Sequence, residues 1–297
     1  MRADATARLR VMDSGDIAAG LRLCRASRWN QVARDWELFL ALSPDGCRVA
    51  VDEGGRVVGS VATLRYGGAF GWVAMVLVDP AHRGGGIGSC LLEEALSLLH
   101  DLAVIRLDAT PTGIGVYGRA GFREEYPLQR MERQTPQFGS ASAEYGPQMG
   151  TLLRGSLVRP MAEGDMEAVM AWDRLAFGAD RRVLLDALRG GAPEYAWVSG
   201  RGELDGYLFG RHGHDFEHLG PLVAHSEATA QQLVAACLHA HEDRPYIFDV
   251  PQHGSWTAWL ESLSFTVQRP FTRMYRGEQR YRERRDQMFA IMGPEFG

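Results

Sequence analysis

The sequence predicts a mixed α/β protein made of two tandem copies of one domain, each a mostly antiparallel, twisted sheet flanked by helices. Three observations predict it: strand and helix patterns alternate through the first half, a glycine-rich loop opens the clearest helix, and the second half repeats the marks of the first. A length of 297 residues suits two domains.

The repeat comes first. Arg10-Val11-Met12-Asp13-Ser14-Gly15-Asp16 returns as Arg159-Pro160-Met161-Ala162-Glu163-Gly164-Asp165, and Phe122 with Pro127 to Arg133 returns as Phe265 with Pro270 to Arg276. The spacing is 149 residues at the first mark and 143 at the second, a duplicated domain rather than a solenoid. The chain divides into residues 1–135, a linker over 136–155 rich in Gly, Ser, Pro and Gln, and a second copy with its tail over 156–297. The Arg- and Glu-rich opening of the tail after Gly277 predicts a solvated helix.

In the first copy, Asp16 to Leu23 reads as a helix. Arg48 to Val51 and Val57 to Leu64 read as strands joined by a Glu53-Gly54-Gly55 turn. Trp72 to Val78 is a near-continuous apolar run, as expected of a strand covered on both faces. Ile87 to Leu99 carries an apolar stripe at helical spacing, and Val104 to Leu107 is a further strand.

Composition narrows the function. Hydrophobic residues make up 45% and charged residues 23%, and the net charge of -5 gives no attraction to nucleic acid or an anionic membrane. The N-terminus leads into charged sequence without an apolar leader, which predicts a cytoplasmic protein. Cys24, Cys47, Cys90 and Cys237 are scattered and read as reduced thiols. There is no lysine, so all 32 basic residues are arginine; this excludes a P-loop lysine and Schiff-base chemistry.

The chemistry lies in Val76-Leu77-Val78-Asp79-Pro80-Ala81-His82-Arg83-Gly84-Gly85-Gly86-Ile87-Gly88-Ser89. A buried strand ends at a turn, and a glycine-rich loop opens an amphipathic helix whose first N–H groups and dipole suit a pyrophosphate. The dinucleotide fingerprint fails because Ser89 stands where it needs glycine or alanine. What remains is Arg-x-x-Gly-x-Gly at Arg83, Gly86 and Gly88, followed later by Tyr117-Gly118-Arg119-Ala120-Gly121-Phe122.

On these two motifs residues 8–134 resemble the GCN5-related N-acetyltransferase (GNAT) family, and residues 157–276 resemble a divergent second copy. The resemblance implies acetyl-CoA as cosubstrate and no metal. It implies that backbone groups of Val76, Leu77 and Val78 hold the pantetheine arm, that Arg83, Gly84, Gly85, Gly86, Ile87, Gly88 and Ser89 hold the pyrophosphate, and that Thr110 and Gly113 border the coenzyme. Tyr117 is implied as the general acid for the departing thiolate; a core tyrosine is its bland alternative. Thr110 replaces an asparagine common in the family and offers fewer hydrogen bonds. The strand before the loop carries no carboxylate, so the base is water or is borrowed, with Asp108 a candidate or simply a turn cap. Trp29, Asn30, Asp35 and Trp36 fall where the family walls its acceptor pocket and suit a cationic amine or helix packing.

In the second copy the counterparts of Arg83, Gly86, Gly88 and Tyr117 are Ala228, Gln231, Leu233 and Leu260, which predicts a fold without the reaction. His212, His214 and His218 could share one strand face as metal ligands or belong to a polar hairpin. The expected activity is acetyl transfer to a primary amine of a small molecule or peptide, with a homodimer open; the alternative is a non-catalytic acyl-CoA-binding module.

Overall fold

The computed structural model describes residues 7–135, 150–278 and 283–297; residues 136–149 of the expected linker lie outside these. The chain forms two compact units, neither continuous in sequence. Unit 1 takes Met1–Glu125, Arg273–Arg280 and Glu295–Gly297; unit 2 takes Tyr126–Thr272 and Tyr281–Pro294.

In unit 1, β1 (Arg8–Val11), β2 (Cys47–Val51), β3 (Val57–Tyr66) and β4 (Phe70–Val78) run antiparallel, and β5 (Val104–Ala109) joins β4 in parallel. A parallel neighbour needs a crossover. After α1 (Ile17–Ala26) and α2 (Ala33–Leu42), that crossover is α3 (Ile87–Leu98), followed beyond β5 by α4 (Pro111–Arg119). The stripe Ile87, Leu91, Leu92, Ala95 and Leu99 is buried with Val58, Val61, Val73, Ile105 and Leu107. On α1, a Cβ at Gly20 would lie 2.8 Å from the Trp36 ring, so its absence lets Trp36 seat fully buried.

Unit 2 repeats the plan. Two strands, β7 (Val158–Pro160) and β8 (Trp197–Ser199), lead through antiparallel pairing to β9 (Gly206–Arg211) and β10 (Glu217–Ala224), and β11 (Tyr246–Pro251) pairs with β10 in parallel. Its helices are α5 (Met166–Phe177), α6 (Arg182–Gly191), α7 (Glu227–Ala240) and α8 (Gly254–Ser262).

The repeated terminal strands are exchanged. The long strands β6 (Arg123–Arg133) and β12 (Thr266–Gly277) end the two sequence copies. Residues 128–133 of β6 pair antiparallel with β11 inside unit 2, whereas residues 273–277 of β12 complete the sheet of unit 1 beside β5. A buried ion pair marks each place. Asp108 Oδ1 and Oδ2 accept from Arg273 Nε and a terminal nitrogen at 2.8 Å each in unit 1, both side chains fully buried. In unit 2, Asp249 accepts from Arg130 at 2.8 and 2.7 Å. His218 Nε2 lies 2.9 Å from Asp249, while its Nδ1 is 2.7 Å from Arg211.

Residues 279–282 of the tail's charged opening, where a solvated helix was expected, lie outside the described residues. Beyond it Met288–Ala290 is a strand, β13, paired antiparallel with β10, and Met288 to Met292 are buried. In unit 1, Phe296 stacks on Phe39 at 4.8 Å, and Tyr66 Oη donates to its carbonyl. The apolar run Met288-Phe289-Ala290-Ile291-Met292 is what buries this end of the chain.

Candidate active site

β4 and β5 pair only at Gly71↔Ile105 and Trp72↔Arg106 and then diverge. The cleft has a volume of about 400 Å³, with walls including Val76, Val78, Arg83, Gly86, Gly88, Ser89, Gly113 and Tyr117. A break in the β3–β4 register between Ser60 and Ala62 places a bulge in β4. There Met75 holds a left-handed φ of 55°, and Ser60 Oγ donates to its carbonyl at 2.9 Å. A non-glycine residue in this conformation re-aims the backbone. It turns the following stretch, Val76 to Val78, towards the cleft.

The loop after β4 is tied at its start. Asp79 caps the turn by accepting from Ala81 N–H at 3.1 Å and meets Arg22 at 2.7 Å and Arg56 at 3.2 Å. Burial opposes its charge, but the Ala81 N–H and the two guanidinium groups hold its carboxyl below the usual carboxylate range. Gly86 stands at the N-terminus of α3 with φ 86°, and nothing lies within 4 Å of where its Cβ would be. That open space lies at the start of the first turn, where Ile87 and Gly88 have no carbonyl a turn earlier in the helix, as a phosphate cradle requires. Ser89 N–H donates to Gly86 O at 3.0 Å. Arg83 folds back so that its Nε donates to Val78 O at 3.1 Å.

Across the cleft, Thr110 sits just before α4, its hydroxyl 3.1 Å from that of Thr112. A Cβ on Gly113 would lie 2.7 Å from the Tyr117 ring, so this glycine fixes where the ring rests. Tyr117 packs edge-on against Phe122 at 6.0 Å, so the two aromatic ends of the Tyr-x-x-x-Gly-Phe stretch pack on each other. Desolvation by the surrounding walls pushes its hydroxyl up to about 12, so it is a protonated donor at neutral pH.

The residues expected at the acceptor site are placed as follows. Asp35 is 2% exposed and accepts the Val32 N–H at 2.8 Å, starting α2 rather than facing an amine. Trp29 is half-buried and Asn30 buried; neither lines the cleft. Asp108 is sealed against Arg273 with both oxygens occupied, which removes it as a base. Burial raises Cys24 and Cys47 to about 12, leaving them unsuited as nucleophiles. His82, Thr112, Val116 and Arg119 line the cleft without having been singled out. The Met75 bulge was missed as well, although Gly220-Pro221 stands at the matching place in the second copy and a Gly-Pro pair in a strand run signals a bulge. The histidines find separate partners: His212 contacts Glu217 at 2.8 Å, His214 lies 3.7 Å from Asp215, and His218 belongs to the Asp249 pair.

Family models described as an acetyltransferase (GNAT) domain match residues 43–124 and 169–290. An uncharacterized N-acetyltransferase, YitH, of Bacillus subtilis is 24% identical over 253 residues, 84% of each chain. A mycothiol acetyltransferase of Acidimicrobium ferrooxidans is 30% identical over 129 residues, 38% of this chain and 41% of that one. A glucosamine 6-phosphate N-acetyltransferase of Trypanosoma brucei brucei is 29% identical over 86 residues, 26% and 58% of the two chains. A tandem GNAT protein from the clavulanic acid biosynthesis pathway shares the fold with a TM-score of 0.61, 17% identity and coverage of 91% and 98%. A GCN5-related N-acetyltransferase from Sphaerobacter thermophilus does so with 0.64, 13%, and 93% and 97%.

Proposed function

Since the chain belongs to the GCN5-related N-acetyltransferase family and carries a domain of that kind in each half, we propose that unit 1 moves the acetyl group of acetyl-CoA to a primary amine of a small molecule or peptide. The observation that carries this is one cleft bringing together the bulged edge of β4, the glycine loop opening α3 and the protonated hydroxyl of Tyr117. In sequence, residues 1–135 are the active copy and 156–297 the silent one, while unit 1 as folded draws residues 273–280 and 295–297 from the second.

Acetyl-CoA would supply an activated acyl group as a thioester. Backbone groups of Val76 to Val78, where β5 no longer pairs with β4, bind an extended arm as an added strand would be bound, with Arg83 Nε released from Val78 O. Amides from Arg83 to Ser89 hold the pyrophosphate, with Gly86 and Gly88 leaving the room. Tyr117 donates a hydrogen bond where negative charge gathers on sulfur. With its hydroxyl near 12 and an ordinary thiol near 8.5, complete proton transfer would cost about 5 kcal/mol. Stabilisation by donation is therefore its main share, and water takes the amine proton. The name of one relative, a glucosamine 6-phosphate N-acetyltransferase, makes amino sugars the first acceptors to try.

The test is thiol release from acetyl-CoA over a panel of amines headed by glucosamine 6-phosphate. An enzyme gives amine-dependent release that Tyr117→Phe lowers. Coenzyme binding with no amine-dependent release for any acceptor supports the binding-module reading instead.

A further inference from the structure

Unit 2 keeps the divergence that makes the cleft in unit 1. β10 pairs with β11 at Glu217↔Tyr246, His218↔Ile247 and Leu219↔Phe248 and then departs, and its register with β9 breaks between Leu219 and Leu222. The repeat sets Gly220-Pro221 opposite Met75-Val76, Leu222 and Val223 opposite Leu77 and Val78, and Trp256 opposite Gly113.

The space is filled by the chain itself. β13 pairs Ala290 with Leu222 and Met288 with Val223, and the counterpart of Val223, Val78, lines the coenzyme cleft. On the other side, Ile291 N–H donates to Asp249 O of β11 at 2.9 Å, so the segment bridges both diverging strands. Phe289 meets Trp256 edge-on at 5.1 Å, and Trp256 is fully buried. A Cβ on Gly220 (φ 142°) would lie 2.0 Å from Ile291 O, so the glycine is what lets the tail come this close. Pro221, lacking an N–H, could not serve the donor role open to Val76.

We propose that unit 2 is a strand-capture site: its cleft binds an extended apolar peptide, the chain's own Met288 to Met292, where unit 1 binds a pantetheine arm. Main-chain pairing on both sides holds the peptide, and the apolar wall around Trp256 accepts its phenylalanine side chain. The counterpart of the cofactor cleft has become a peptide site with an internal ligand.

Hydrogen exchange on the full chain tests this directly. The Ile291 amide should exchange on the order of 10³-fold or more slowly than in a free peptide of residues 285–293. Ala290→Glu should release the tail, bring Ile291 near the free-peptide rate, and let the chain take up one added 285–293 peptide. Gly220→Ala should release the tail but take up none, because the new methyl blocks the place of Ile291 O. The intact chain should bind no added peptide. Exchange of Ile291 at free-peptide rates in the intact chain would overturn the proposal, whether or not the variants fold. So would stoichiometric peptide uptake by the intact chain, or none by a folded Ala290→Glu variant.

Discussion

Replacing Arg273 by Met should destabilise unit 1 by about 3–5 kcal/mol, the cost of leaving a buried carboxylate without its partner. Both side chains are fully buried, and two bonds of 2.8 Å join them. Methionine matches the length of the aliphatic stem and still covers Trp72, whose ring lies 4.8 Å from the guanidinium carbon. The loss is therefore one of charge compensation rather than of volume. At a urea dependence of about 2 kcal/mol per molar, the midpoint should fall by roughly 1.5–2.5 M, read from tryptophan fluorescence. Adding Asp108→Asn should recover part of the loss, since the carboxylate left uncompensated is then neutral. A loss below about 1 kcal/mol for Arg273→Met, or a double variant weaker by the sum of the single losses, would refute the reasoning.

Tyr117→Phe should lower turnover roughly 10²–10³-fold with coenzyme affinity nearly intact, and because burial puts the hydroxyl near 12, the intact enzyme's rate should show no alkaline fall near pH 10. Gly86→Val should abolish coenzyme A binding in calorimetry, which should find one site per chain, while Gly113→Ala should cut turnover by moving the Tyr117 ring. Burial and Arg211 hold His218 below its ordinary value, so the unfolded chain gains a proton that the folded one refuses. Burial would raise Asp249, but Arg130 and His218 keep its carboxyl charged. Both effects remove stability as pH falls, the histidine's from about 6.5 and the aspartate's from about 4; His218→Gln should flatten the upper part of a melting-temperature profile. A chain ended at Gly150 lacks residues 273–280 of unit 1 and should aggregate or lose acceptor turnover; full activity from it would refute the part assigned to the second copy.

The loop from Arg83 to Ser89 and the Tyr117 motif were legible because each is local: the glycines, the strand before them and the helix after them are neighbours in the chain. The exchange of β6 and β12 was not, because the Pro127 and Pro270 motifs read the same whichever sheet receives them. The Met75 bulge was hidden in an apolar run that gives no alternation to break, and only Gly220-Pro221 betrays its place. Asp35 looked like a cation partner because side-chain chemistry shows in a sequence, whereas the unmet N–H of Val32 that it satisfies does not.

The strand that closes the sheet of unit 1 has a consequence for synthesis. Domains generally fold N-terminal first as they emerge, at about 5–20 residues per second. Here the outer edge of β5 and the carboxylate of Asp108 wait for residues 273–277. From Glu125 to Gly277 the ribosome needs roughly 8–30 seconds at those rates. For that time the nascent first copy presents an open strand edge to its neighbours on the same message, so the pace of translation, and any chaperone that shields the edge, governs the yield of active protein.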